Sequence, residues 1–193
     1  MNKQTFSFLT LGALMLCLGL LMSCSTQTAT SASKTNPSET TVYIVRHGEK
    51  APPSGAMTDD PSLSEAGRTR AEALRTQLAK APVRGLYATK YKRTQETLQP
   101  LSQATNVPVQ IYEASDFAGL ATKVKDAHAG QTVVVAGHSN TVLSLVEAFG
   151  AQKPFAAVAD HEYDYLFKVT LSPDKPAMVE VMKYGAVSIA PAK

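Results

Sequence analysis

The chain has 193 residues and a formal net charge of +3. That length holds one ordinary domain with a real core, and so mild a charge argues neither for a nucleic-acid surface nor for a polybasic membrane patch. With no tryptophan and only two cysteines, Cys17 and Cys24, the composition also excludes a disulfide-built scaffold.

Residues 1–23 read as a secretory signal: Lys3 is followed by a Leu-rich run from Phe8 to Met22 and then by small residues. The run is short for a membrane span and carries Gly12 and Gly19. Leu21-Met22-Ser23-Cys24 resembles a bacterial lipobox, which implies cleavage before Cys24 and acylation of its thiol. Cys17 would leave with the signal, so the processed chain would keep one cysteine, at the cut site, and no intramolecular disulfide. Residues 24–40 are Ser/Thr-rich and almost free of large apolar groups. They cannot bury enough surface to offset their ordering entropy and read as a flexible tether. The expectation is an exported protein, lipid-anchored to a bacterial membrane, at the outer membrane or cell surface, with its folded domain over 41–193.

Within that domain, Thr41–Val45 is a short β-branched run that predicts a buried strand, and it ends abruptly in Arg46-His47-Gly48-Glu49. A guanidinium and an imidazole at the carboxyl end of a buried strand suit a ligand site in an α/β sheet. Arg46 offers a fork of donors for a phosphate. The Pro/Gly/Asp-rich stretch that follows reads as a loop beside this tetrad. Ser64 then caps a helix running to about Lys80, with Gly67, Ala71, Leu74 and Leu78 on one face and Arg68, Arg70 and Arg75 assigned to solvent.

Val83–Tyr87 predicts a second strand and Tyr91–Ala104 a helix, bent at Pro100. Arg93 falls in its first turn, where a cation opposes the helix dipole; the alternatives are an exposed Arg and one that points back at an anion. Asn106–Tyr112 predicts strand three, Asp116–Ala129 a helix with His128 as a solvated C-terminal cation, and Thr132–Ala136 the central strand, since it is the most apolar run. That strand opens into Gly137-His138-Ser139 and a helix to Phe149. Two late antiparallel edge strands follow, around Tyr163–Phe167 and Met178–Met182, with their turn at Ser172-Pro173-Asp174. The alternation predicts a three-layer α/β/α domain around a mostly parallel central sheet.

If the strand ends converge, two guanidiniums and two imidazoles meet, a set too cationic to stand without an anion, and a phosphoryl group fits it. Without a partner set of carboxylates or thiols, two histidines make a poor zinc site, so no metal or other cofactor is expected.

Arg46-His47-Gly48-Glu49, Leu63-Ser64-Glu65-Ala66-Gly67, Arg93-Thr94-Gln95-Glu96-Thr97 and Gly137-His138-Ser139 occur in one order. In that order and rough spacing they resemble the histidine phosphatase, or phosphoglycerate mutase-like, superfamily over about residues 41–150. The resemblance implies that His47 is the nucleophile and forms a phosphohistidine. It also implies that Arg46, Arg93, His138 and the backbone around Ser139 hold the phosphoryl oxygens. Glu113 occupies the position of the mutase-type general acid, with Asp116 as the alternative. Glu49 is assigned to bracing the loop, and Thr89 stands where relatives often carry Ser. Lys50-Ala51-Pro52 departs from the glycolytic mutases, and no long insertion follows strand three. The expected function is therefore a metal-independent phosphomonoesterase acting on a phosphorylated small molecule or phosphoprotein. The alternatives are a phosphate-binding lipoprotein with little turnover and, less favoured, a phosphoglycerate mutase. Lys50, Lys90 and Lys92 could ring the mouth, although surface lysines are usually only solvated.

Overall fold

The computed structural model describes residues 39–52 and 60–190. The expected signal segment, Cys24 and all but the last two residues of the expected tether lie outside the described residues, as does the middle of the loop after Glu49.

Six strands form one sheet: β1 (Thr40–Arg46), β2 (Val83–Ala88), β3 (Val109–Ile111), β4 (Thr132–Gly137), β5 (Tyr165–Ser172) and β6 (Lys175–Lys183), in the order β3-β2-β4-β1-β5-β6. The first four are mutually parallel, β5 runs antiparallel to β1, and β6 returns antiparallel to β5. Four helices connect them: α1 (Glu65–Gln77), α2 (Lys92–Thr105), α3 (Phe117–Ala127) and α4 (Val142–Ala148). The path β1→β2→β3 moves one way along the sheet, and β3→β4→β5 moves back. With right-handed crossovers that reversal places α1 and α2 on one face and α3 and α4 on the other.

Two apolar cores show the same division. Val45, Leu86, Val134, Ala136 and Leu166 pack with Leu74 and Leu78 of α1 and Leu98 and Leu101 of α2. Val42, Ile44, Val133, Val135 and Phe167 pack with Leu120 and Val124 of α3 and Val142, Leu145 and Val146 of α4. Strand β4 feeds both cores with alternate residues and every residue is buried, which is why its sequence is apolar without a break.

Strand three is shorter than its sequence predicts. Asn106 takes a left-handed φ of 57° as the α2 C-cap, and Pro108 has no N–H to give a ladder, so pairing with β2 starts at Val109. Two polar assignments are also corrected. Arg70 is buried rather than solvated: its Nε and Nη2 donate to Glu49 and its Nη1 donates to the Tyr184 carbonyl. His128 is buried between β2 and the α3 C-terminus, with Nδ1 donating to Gln131 Oε1 at 3.0 Å and Nε2 accepting from the Tyr87 hydroxyl at 3.0 Å.

The start of α1 presses on the loop that follows β1. Ser64 caps the helix through Gly67 N–H, as expected, and Ser64 N–H donates back to the Glu49 carbonyl at 2.9 Å. A Cβ on Gly48 would stand 2.8 Å from the Gly67 carbonyl oxygen, and one on Gly67 would collide with the Glu49 backbone. Neither neighbour is a flexible side chain, so neither can yield cheaply. Gly67→Ala should therefore destabilise the domain by about 1–3 kcal/mol, the range for overpacking. It should also lower any activity of the loop by more than its loss of folded fraction explains. Denaturant midpoints alongside rates check this, and a variant with wild-type stability and rate would show that the contact is slack.

Candidate active site

Each of the four parallel strands delivers a polar group at its carboxyl end. Arg46 ends β1 and His47 follows it; Thr89 and the Arg93 turn follow β2; Glu113 follows β3; His138 follows β4. Strand β5 runs the other way, so its entry segment, Asp160 to Tyr163, reaches the same pole. Of these, Arg46, His47, Arg93, Glu113, His138 and Asp160 line a cavity of about 660 Å³ that also includes Lys50, Lys90, Tyr91, Ser139 and Phe117. The volume lies in the range of small-molecule sites, so there is room beyond a phosphoryl group.

His47 and His138 face each other with ring centroids 5.3 Å apart. His47 is buried, and its Nδ1 lies 2.7 Å from the Gly48 carbonyl oxygen. A carbonyl only accepts, so Nδ1 carries the proton and Nε2 keeps the lone pair. Burial, helped by the charges of Arg46, His138 and Arg93 and only partly opposed by the Gly48 carbonyl, pushes the His47 pKa down to about 3. At neutral pH this is an uncharged ring, protonated on Nδ1 alone, with an open Nε2.

His138 is also held neutral. Burial, then Arg93 and Arg46, bring its pKa down to about 4. Its Nε2 lies 3.1 Å from Thr89 Oγ1, which lies 2.8 Å from Thr94 Oγ1. Its Nδ1 stands 3.5 Å from Arg93 Nη2. The expectation of four cationic groups is thus revised. The protein carries two fixed guanidiniums there and lowers the charge of the set by leaving both imidazoles unprotonated.

The guanidiniums are held differently. Arg46 Nη1 donates to the Ala159 carbonyl at 2.9 Å and the Glu162 carbonyl at 3.0 Å, and its face lies 4.0 Å from the Tyr163 ring centre. Arg93 has its guanidinium carbon over the Tyr91 ring, 4.4 Å from the ring centre, and Nη1 3.6 Å from Asp60 Oδ1. Asp60 also accepts the Lys92 N–H at 2.8 Å. One carboxylate from a distant loop thus caps α2 and offsets the cation that the helix dipole disfavours. Among the described residues, the Nε atoms of both arginines and Nη1 of Arg93 are buried without a hydrogen bond, and such donors are costly to leave unmade unless a ligand meets them.

The Arg93–Thr97 stretch braces the whole arrangement. Thr97 Oγ1 accepts the Gly48 N–H at 2.9 Å, Glu96 accepts the Leu63 N–H at 2.7 Å, and Thr94 holds Thr89 against His138. Glu49 is tied to Arg70 at 2.6 Å, the bracing role its place in the loop suggests. Of the two candidate acids, Glu113 lines the cavity, whereas Asp116 caps α3 by accepting the Gly119 N–H at 2.9 Å. Ser139 lines the cavity too, but the His138 N–H is taken up by Thr141 Oγ1 at 2.9 Å, which reduces the backbone donors expected there. Lys50 and Lys90 reach the cavity wall, while Lys92 faces a separate groove along α2. Among the described residues, no three or more His, Cys, Asp or Glu side chains are grouped to hold a metal ion.

Residues 42–115 match the model of the histidine phosphatase superfamily, branch 1. No curated protein matches the chain. Among solved structures, the protein histidine phosphatase SixA complexed with tungstate is similar at a TM-score of 0.60 and 19% identity, covering 74% of this chain and 96% of that one. Bacillus stearothermophilus YhfR is similar at 0.58 and 18%, covering 77% and 98%. The native mycobacterial glucosyl-3-phosphoglycerate phosphatase is similar at 0.56 and 13%, covering 77% and 99%. At these identities the solved structures establish the fold.

Proposed function

We propose that this chain of the histidine phosphatase superfamily is a phosphomonoesterase that works through a phosphohistidine on His47. The observation that carries the reading is the neutral His47, with Nδ1 tied to the Gly48 carbonyl, beside two guanidiniums that keep buried, unpaired donors. Nε2 would attack phosphorus in line as the P–O bond to the leaving group breaks. Arg46 and Arg93 would neutralise the charge that spreads over the equatorial oxygens. Glu113 would supply the leaving oxygen with its proton, and water would then cleave the phosphorus–nitrogen bond and release phosphate. The cations in this scheme are side chains, so no metal has a step to perform.

The substrate is a phosphorylated small molecule or phosphoprotein. Among the similar folds, one protein is named a protein histidine phosphatase and another a glucosyl-3-phosphoglycerate phosphatase, so both P–N and P–O substrates belong in the first panel. Steady hydrolysis of a generic aryl phosphate with chelator present is the expected result. Stoichiometric phosphate binding without turnover would favour a binding lipoprotein instead, and phosphoryl exchange between phosphoglycerates would favour a mutase.

We further propose that the chain is exported and anchored by lipid on Cys24, on the strength of the Leu21–Cys24 motif and the polar stretch that follows it. Cys24→Ser should yield an unacylated protein that no longer partitions into detergent. A mature wild-type N-terminus mapped elsewhere by mass spectrometry would end that reading.

A further inference from the structure

Arg93 occupies an unusual setting for a side chain that must meet an anion in one geometry. It is on the first turn of α2, and among the described residues its Nε and Nη1 are buried without hydrogen bonds and the nearest carboxylate oxygen paired with it, on Asp60, is 3.6 Å away. Among the described residues its Nη2 has only the 3.5 Å approach to His138 Nδ1. In-plane hydrogen bonds therefore do little to fix this guanidinium, in contrast to Arg46, whose Nη1 is held by two backbone carbonyls. What Arg93 does have is a flat neighbour: the Tyr91 ring, two residues before it, with its centre 4.4 Å from the guanidinium carbon. The same ring meets His138 edge-on, centroids 5.3 Å apart and planes at 89°.

From this geometry we infer that Tyr91 is a positioning residue, whose ring face holds the Arg93 guanidinium so that its in-plane donors stay free for the phosphoryl group. This rests on the phosphoryl-binding reading above and adds the element that orders its weaker-held cation. A guanidinium stacked on an aromatic face keeps its hydrogen-bonding edge open, whereas one tied by carboxylates spends that edge. A cation held over a ring face thus has its rotamers restricted without spending a hydrogen-bond donor, which is the requirement for a preorganised anion clamp. The Tyr91 hydroxyl has no part in this, and the structure gives it no bond in the site: only the ring is used.

The test measures binding of inorganic phosphate to the full chain by calorimetry, because phosphate has no leaving group for Tyr91 to touch. Tyr91→Leu should weaken phosphate binding by about 3- to 30-fold, the span of a partly desolvated cation–π contact. Tyr91→Phe keeps the ring and should stay within about twofold of wild type. In an Arg93→Ala background, Tyr91→Leu should cost nothing further, since the coupled partner is gone. Thermal unfolding of each variant registers any general loss of structure. Equal affinity in Tyr91→Leu and wild type would overturn the inference while leaving the phosphatase reading intact. So would a loss in Tyr91→Phe, readable even if the Leu variant fails to fold, or an additive loss in the Arg93→Ala background. A wild-type chain that binds no phosphate would instead bring down the reading on which the inference rests.

Discussion

His47→Ala should abolish turnover, by about 10³-fold or more, while phosphate binding stays measurable. Removing a covalent nucleophile costs at least that much when the remaining groups only bind and polarise. Arg46, Arg93 and His138 are untouched by the change, so the anion keeps its donors. An acid-labile phosphoenzyme trapped by rapid quenching of the wild type should map to His47 and vanish in the variant. His138→Ala should weaken both binding and turnover yet still permit slow labelling of His47. Label on His138 would exchange the two roles, and label on neither would leave direct attack by water. The pH behaviour follows from the same site. With the His47 pKa down at about 3, its unprotonated form persists well below the ordinary histidine range. Once substrate ionisation is allowed for, kcat/KM should therefore show no acid limb from His47 near pH 6.5. Stability runs the other way: the unfolded chain takes up protons on both histidines below about pH 6.5, where the folded state refuses them. Folding stability from this pair is complete above that value and declines as pH falls toward 4 and then 3.

Glu113→Gln should slow alkyl phosphates by about 10²–10⁴-fold and leave aryl phosphates with good leaving groups nearly unchanged. General acid catalysis is worth that range only where the departing oxygen needs its proton. Glu113 stands on the cavity wall at the end of β3, where it can reach such an oxygen. Asp116→Asn should have little effect on either class, because Asn caps a helix about as well as Asp, and capping Gly119 is what this carboxylate does. Equal losses on both ester classes would deny Glu113 the acid role. A selective loss in Asp116→Asn would transfer it.

The parts of this molecule that sequence made legible are those with local causes. The strands announced themselves through β-branched runs, α1 through Ser64 and its apolar spacing, and β4 through an unbroken apolar stretch that only a strand covered on both faces tolerates. Arg46, His47, Arg93 and His138 each had a local oddity, a polar group just after a buried strand or a cation at the wrong end of a helix. What stayed hidden depends on partners far along the chain. Arg70 looked like any arginine on a helix face, because Glu49 and Tyr184 meet it only after α1 docks on the β1 loop and the β6 end. His128 looked solvated because Tyr87 lies in another strand. Asp60, which answers the dipole problem at α2, sits in a loop without periodicity. Tyr163 is joined to Arg46 only through the return of β5. Tyr91, by contrast, stands only two places before Arg93, so its ring and that guanidinium meet through local sequence.

The polarity of β1 has a spatial consequence for any anchor upstream. The strand starts at Thr40 and delivers Arg46 at its other end. At about 3.3 Å per residue, the point where the preceding chain joins the domain lies roughly 20 Å from Arg46, at the far end of the strand. The upstream attachment point is thus at the pole of the sheet opposite the cavity.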